Sequence, residues 1–349
     1  MKTATGDVPR NLDASVFGAF QTRLRDMQPV WEEALRLDAQ RAIQPPRVRP
    51  VGRDTPKGQH FIPRYWVVGF AEPAEKAGQV TEIDVSSPEQ RTRRYTRRAA
   101  SVEHMYTLAD DSGQRTVVLE DALGLIEDQA SSAFKKMAEG VIPGSVLERL
   151  DVSLLLAAQI VRTPRSLLPI DQAARGLTDR MIEMATHAGH LPPTEGALDV
   201  EINREFTLGV AFDAEALSRC AFFLFCRRWS LVRAAEGSCG FVLPERPVVM
   251  YSAGRGGFYG PGGVRDAHEV LVPVSRRVLL MMHWMDDSNP DGMEVPAGLV
   301  AEINAHLSAR GGPTVFCAPS DAEAVMRMLT QRMPSSDESE EPGASAPRA

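Results

Sequence analysis

A histidine, two helical glutamates and an arginine are the residues whose type and placement could do chemistry. His60 stands just ahead of Pro63, where a short helix is expected to begin. Its imidazole titrates near neutral pH and can act as acid, base or metal ligand. Its plainer role is a backbone hydrogen bond that locks the helix entry. Glu120 and Glu127 are seven residues apart on one expected helix, so two turns bring them to nearly the same face. With Glu103 nearby in sequence, they could hold a divalent metal or perform acid–base work. They could equally be ordinary helix-favouring glutamates. Of the two, Glu127 is singled out because Ile126 beside it is a core position. Arg162-Thr-Pro ends a very apolar helix. An arginine there complements the helix dipole and can offer a fork to phosphate or carboxylate. The structural alternative is a buried ion pair from Arg162 to Glu127 or to Glu245.

Other segments carry weaker chemistry. Residues 254–263 are rich in glycine but lack the Lys-Ser or Lys-Thr of a phosphate loop, so a hairpin loop is expected there. Arg91, Arg93, Arg94, Arg97 and Arg98 surround Tyr95. Such a run could hold nucleic-acid phosphates while the tyrosine stacks on a base. It could also be a solvated loop. His187 and His190 have a ligand-like spacing but no evident third ligand. The patterns HExxH, GxSxG and DxDxDG are absent.

The elements that must position these groups are mostly helices. Phe17, Phe20, Leu24, Met27, Trp31 and Leu35 recur at three and four, which predicts a helix over 15–40. Proline steps make 43–58 an extended connection. Helices are expected over 117–139, ended by Gly140, and over 145–162, broken by Pro164. Another is expected over 165–187, then a loop-rich stretch over 188–211, then a mostly apolar helix over 213–234. Strands are expected at 79–86, 241–243, 248–251, 269–274, 278–284 and 314–317, with closing helices at 296–309 and 320–332. The expected fold is mainly α with a small antiparallel β-sheet (α+β): a helical body and a sheet in the C-terminal third.

Composition bounds the rest. The chain has 349 residues, 43% hydrophobic and 24% charged, enough for a large core. A net charge of −7 argues against a general nucleic-acid or anionic-membrane binder. No stretch reaches the ~18 unbroken apolar residues of a spanning helix, so no membrane is expected. The first thirty residues lack a secretory signal, and four scattered cysteines make no disulfide scaffold. The expected setting is cytoplasmic. Three regions are expected: an N-terminal arm over 1–58, one globular domain over 59–332 and an acidic tail over 333–349.

Six segments resemble one family in order. Gln59-His-Phe-Ile-Pro-Arg-Tyr-Trp-Val-Val-Gly-Phe-Ala71 resembles the "QHYVPxxYLxxFA" opening of domain of unknown function 4238, an uncharacterised microbial family. Glu103–Leu108 resembles its "xxFYTL" element, Leu119–Glu127 its "LExxLSxIE" helix and Gln159–Arg165 its "QxxRTPxxR" segment. Phe241–Val249 resembles its "FITSDNPVV" strand and Val272–Ser275 its "PLSP" element. This chain has Pro244-Glu245 where the family has Ser-Asp, so a carboxylate is kept and a hydroxyl lost. The resemblance implies an architecture and candidate positions, without a reaction.

Two functions from different classes remain open. The first is a hydrolase acting on a phosphate-containing substrate, assisted by a divalent metal. His60, Glu127 and Glu245 would be catalytic or metal ligands, and Arg162, Tyr106 and Arg64 would bind the ligand. The second is a non-catalytic protein- or nucleic-acid-binding protein. The His/Glu/Arg group would then be a buried structural network, with Arg93, Arg94, Arg97 and Arg98 as the contact surface.

Overall fold

Apolar spacing builds the first helix, which packs onto the later helices Val146–Val161 and Ala214–Cys226. The computed structural model describes residues 14–41, 50–51, 57–109, 114–188, 204–251, 263–285 and 292–331. Helix α1 (Ala14–Asp38) buries Val16, Phe20, Met27, Trp31 and Ala34. Strand β1 (Gly58–His60) leads into α2 (Arg64–Val68), which Pro63 opens as its N-cap. Strands β2 (Gln79–Asp84), β3 (Arg91–Tyr95), β4 (Ser101–Glu103), β5 (Leu108–Ala109) and β6 (Arg115–Thr116) follow.

The helical body comes next. Helix α3 (Val118–Ala138) has Glu120 and Asp121 in its first turn and Lys135 and Lys136 in its last, matching the macrodipole at both ends. Helix α4 (Val146–Val161) starts with a full capping box between Ser145 and Glu148. It buries residues around nearly its whole circumference, Leu150, Val152, Leu155, Leu156 and Ala158 among them. Helix α5 (Pro164–His187) is capped by Thr163, with Pro164 in its first turn. Helices α6 (Arg204–Ala211) and α7 (Ala214–Cys226) complete the body. The centre is α4, packed against α1, α3 and α7. Trp31 of α1 meets Phe222 and Phe225 of α7 edge-on, at centroid distances of 5.5 and 5.2 Å.

The C-terminal third mixes strands with two helices. It comprises β7 (Arg228–Ala234), β8 (Leu243–Pro244), β9 (Val249–Tyr251), β10 (Glu269–Ser275), β11 (Val278–His283), β12 (Met293–Val295), α8 (Ala297–Arg310), β13 (Thr314–Cys317) and α9 (Ala322–Thr330). A five-stranded sheet runs β12-β7-β11-β10-β9, antiparallel except for the parallel β12–β7 pair. A four-stranded antiparallel sheet runs β3-β2-β13-β8 and so joins the two ends of the chain. Trp66 fastens α2 to the larger sheet, its indole N–H donating to the Pro273 carbonyl at 2.7 Å.

The α+β class and the helical body match the expectation from sequence. The expected helix over 213–234 is corrected: it ends at Cys226 and continues as β7. The cause lies at Arg227, whose backbone turns extended (φ −64, ψ 158). Its fully buried guanidinium is caged by the carbonyls of Val264, Ala267 and His268 at 2.5, 2.7 and 3.2 Å, and lies 4.2 Å from the Trp284 ring. Both halves are continuously apolar, so periodicity does not separate them. The loop-rich expectation over 188–211 misses α6, whose Thr207 hydroxyl donates to Asp171 of α5. The described residues form a five-stranded sheet, a four-stranded sheet and the two-stranded pairs β1–β4 and β5–β6, and the four-stranded sheet arises because β2 pairs with β13 far away in sequence. The glycine-rich segment lies outside the described residues except for Gly263, and so do His190 and the tail over 333–349.

Gly140 ends α3 with φ +86, and a Cβ there would meet the Arg233 guanidinium, which donates to the Glu139 carbonyl. Gly140→Ala is expected to cost about 1–2 kcal/mol through the left-handed backbone alone. Thermal melting checks this: a fall of a few degrees is expected, and an unchanged melting temperature would contradict it.

Candidate functional site

The six sequence segments singled out above are tied to one another by hydrogen bonds. Gln59 on β1 accepts from the backbone N–H of Tyr106 at 2.5 Å. Gln159 on α4 donates to the Phe61 carbonyl at 2.6 Å. One turn later Arg162, the C-cap of α4, places Nη2 2.6 Å from the His60 carbonyl and Nη1 2.5 Å from Oε1 of Glu127 on α3. The phenol of Tyr106 donates to the Arg162 carbonyl at 2.6 Å, and the Arg162 guanidinium lies 5.5 Å from the Tyr106 ring centroid. The Glu245 carboxylate accepts from the backbone N–H of Arg165, in the first turn of α5. The Pro273 carbonyl accepts from Trp66.

Local sequence explains why Arg162 sits where it does. Pro164 cannot continue the ladder of α4, so α4 stops and α5 begins under its Thr163 cap. Arg162 is left at the junction, its side chain 3% exposed against 21% for Glu127. A buried guanidinium needs a charge partner and hydrogen bonds, and here it has both. The structure therefore shows the ion-pair alternative for Arg162. Both terminal nitrogens are spent inside the chain.

Around this pair the electrostatics are unusual. Burial pushes the Glu120 carboxyl up to about 7, with Glu127 adding to the effect and Arg162 opposing it. Burial raises Tyr65 strongly, and Glu127 reinforces it. Burial likewise raises Tyr106, against the pull of Arg162. Both phenols therefore stay protonated at neutral pH and can donate. Burial lowers His60, and the cations Arg162 and Arg64 lower it further, so its imidazole is neutral at pH 7. Among the described residues, Oε2 of Glu120, the Tyr65 hydroxyl, Oε1 of Gln159, Nε of Arg162 and Nε of Arg64 are buried without a hydrogen-bond partner. Several unsatisfied polar atoms beside one ion pair are what a site for a polar ligand requires.

The structure treats the sequence candidates unequally. Glu127, Arg162 and Tyr106 are in direct contact. His60 supplies its carbonyl to Arg162, while its ring turns to the Thr96 carbonyl at 3.4 Å. Arg64 donates to the Lys76 carbonyl at 2.7 Å. Glu245 is buried just after β8 and faces the start of α5, its nearby charges being Arg246 and Arg165, and burial raises its carboxyl. His60, Glu127 and Glu245 are the candidate metal ligands from the sequence. Each has a different partner, and no three His, Cys, Asp or Glu among the described residues form a group that could hold an ion. His187 points back to the Glu183 carbonyl at 3.0 Å. Glu120 carries a carboxyl that burial raises. Tyr65 has no counterpart among the sequence candidates; its signal was its place directly after Arg64 at the entry of α2. Among the described residues no helix is long and apolar enough to cross a membrane.

A helix-rich α+β domain whose ordered motifs close around one buried Glu–Arg pair is the class that the fold and site define. The chain belongs to the family described as "Protein of unknown function (DUF4238)", whose model matches residues 58–321. No curated protein and no solved structure matches it.

Removing one partner of the buried pair leaves the other uncompensated. Glu127→Gln is expected to destabilise the protein by about 3 kcal/mol, seen as a fall of several degrees in melting temperature. A change of under a degree would show that Arg162 does not depend on this carboxylate.

Proposed function

We propose that the protein is a hydrolase acting on a phosphate-containing substrate, with Glu120 as the proton-transfer group. The supporting observation is that carboxyl: it is half-buried near Glu127, is pushed up to about 7, and has one buried oxygen without a partner among the described residues. A carboxylate near 7 is a far better base at neutral pH than one at its ordinary value of 4.5. In its ionised form it takes a proton from an attacking water. Tyr65, held protonated by burial, is the donor toward developing negative charge. The unpartnered Nε–H groups of Arg162 and Arg64 are the donors available to phosphate oxygens. Glu127 and the Nη groups of Arg162 position this set and are not consumed in the reaction.

A second reading rests on a specific observation as well. Arg162 spends both terminal nitrogens within the chain, as a purely structural network would. In that reading the protein is non-catalytic and binds a partner.

Turnover of p-nitrophenyl phosphate and bis(p-nitrophenyl) phosphate separates the two. The proposal expects turnover that falls on the order of 10²–10³-fold in Glu120→Gln. The wild-type rate should rise with pH as Glu120 ionises and level off above about 7. If neither ester is turned over faster by the wild type than by Glu120→Gln, the catalytic reading fails and the structural one stands.

A further inference from the structure

Strand β3 (Arg91–Tyr95) is an edge of the four-stranded sheet, bonded on one side to β2. All five of its residues are exposed, and after the buried Thr96 the turn exposes Arg97 and Arg98 as well. Strand alternation puts Arg91, Arg93 and Tyr95 on one face and Thr92 and Arg94 on the other. Arg94 is neutralised by Glu82 on β2. Arg91 reaches the Met326 sulfur at 3.1 Å. Among the described residues no carboxylate pairs with Arg91, Arg93, Arg97 or Arg98, so four guanidinium charges stand uncompensated on a chain of net charge −7. Tyr95 lies among them, 48% exposed, with the Arg97 guanidinium 5.6 Å from its ring centroid.

Uncompensated guanidiniums cost little in water, but four of them across residues 91–98 leave a local positive field. They flank an aromatic ring that is about half exposed. Phosphate contacts from arginine combined with base stacking on an exposed aromatic are the two elements of a sequence-tolerant single-strand platform. A duplex would use the phosphate contacts and leave the ring idle. An acidic peptide adding as a strand would need the free edge, and charged side chains on an edge discourage such pairing.

We propose that β3 and the turn after it form a binding surface for single-stranded nucleic acid, in which Arg91, Arg93, Arg97 and Arg98 contact phosphates and Tyr95 stacks on a base. The surface stands on different residues from the Glu120 centre, and it holds or fails independently of any turnover there.

Fluorescence anisotropy of the full chain with a labelled oligothymidylate of ~20 nucleotides tests it. Four phosphate contacts predict that affinity weakens about 50-fold between about 50 and 200 mM NaCl. Arg93→Ala/Arg98→Ala should cut that salt dependence to about half on the logarithmic scale. Tyr95→Ala should weaken binding about tenfold at fixed salt. These side chains are exposed, so the variants are expected to melt as the wild type does. The proposal is overturned by any of three results: no binding at the lower salt, binding that ignores both variants, or binding of a polyglutamate peptide in preference to the oligonucleotide.

Discussion

A guanidinium buried at the junction of two helices is the constraint around which this part of the molecule is arranged. Taking Arg162 out of water costs several kcal/mol unless its donors are met. The chain meets its two terminal nitrogens with a carboxylate from α3 and a carbonyl from the entry of α2, and leaves Nε without a partner among the described residues. The carbonyl of Arg162 is in turn capped by the Tyr106 phenol. Three segments distant in sequence thereby converge on one residue. The same group that holds the helices together sets the field in which neighbouring carboxyls and phenols titrate.

Burial, more than that field, gives Glu120 its character. Burial disfavours its ionised form, and Glu127 does the same, while the nearby Arg162 charge pulls the other way. Burial and Glu127 win, leaving the carboxyl near neutrality. The linkage has a definite sign. A carboxyl raised from 4.5 to about 7 holds a proton in the folded chain that the unfolded chain has released. Its contribution to stability is present below pH 4.5 and is lost as the pH rises through 7. A fold that keeps a destabilising group at working pH is the pattern seen where function competes with stability.

Much of the fold is legible in the sequence because long helices announce themselves. The heptad-like run from Phe17 to Leu35, the proline at 164 and the glycine at 140 mark α1, α4 and α3 within a residue or two. The junction at Arg227 is not legible, since an apolar helix runs straight into an apolar strand and only the tertiary cage of carbonyls marks the boundary. Sheet order is also hidden, because β2 pairs with β13 across most of the chain. At the site, spacing places Glu120 and Glu127 on one face of α3, and the ion pair to Arg162 is among the readings that the sequence allows. Which glutamate is paired and which is left with an unmet oxygen depends on depth beneath neighbouring elements, and spacing does not encode depth. Tyr65 is missed for the same reason.

The most direct test is the titration of Glu120 itself. Its side-chain carboxyl ¹³C shift, assigned by comparison with Glu120→Gln, should titrate with a midpoint near 7 in the full-length protein. A midpoint near the ordinary value of 4.5 would contradict the account, because Glu120 would then be a solvated helix glutamate and not a buried group facing Glu127 and Arg162.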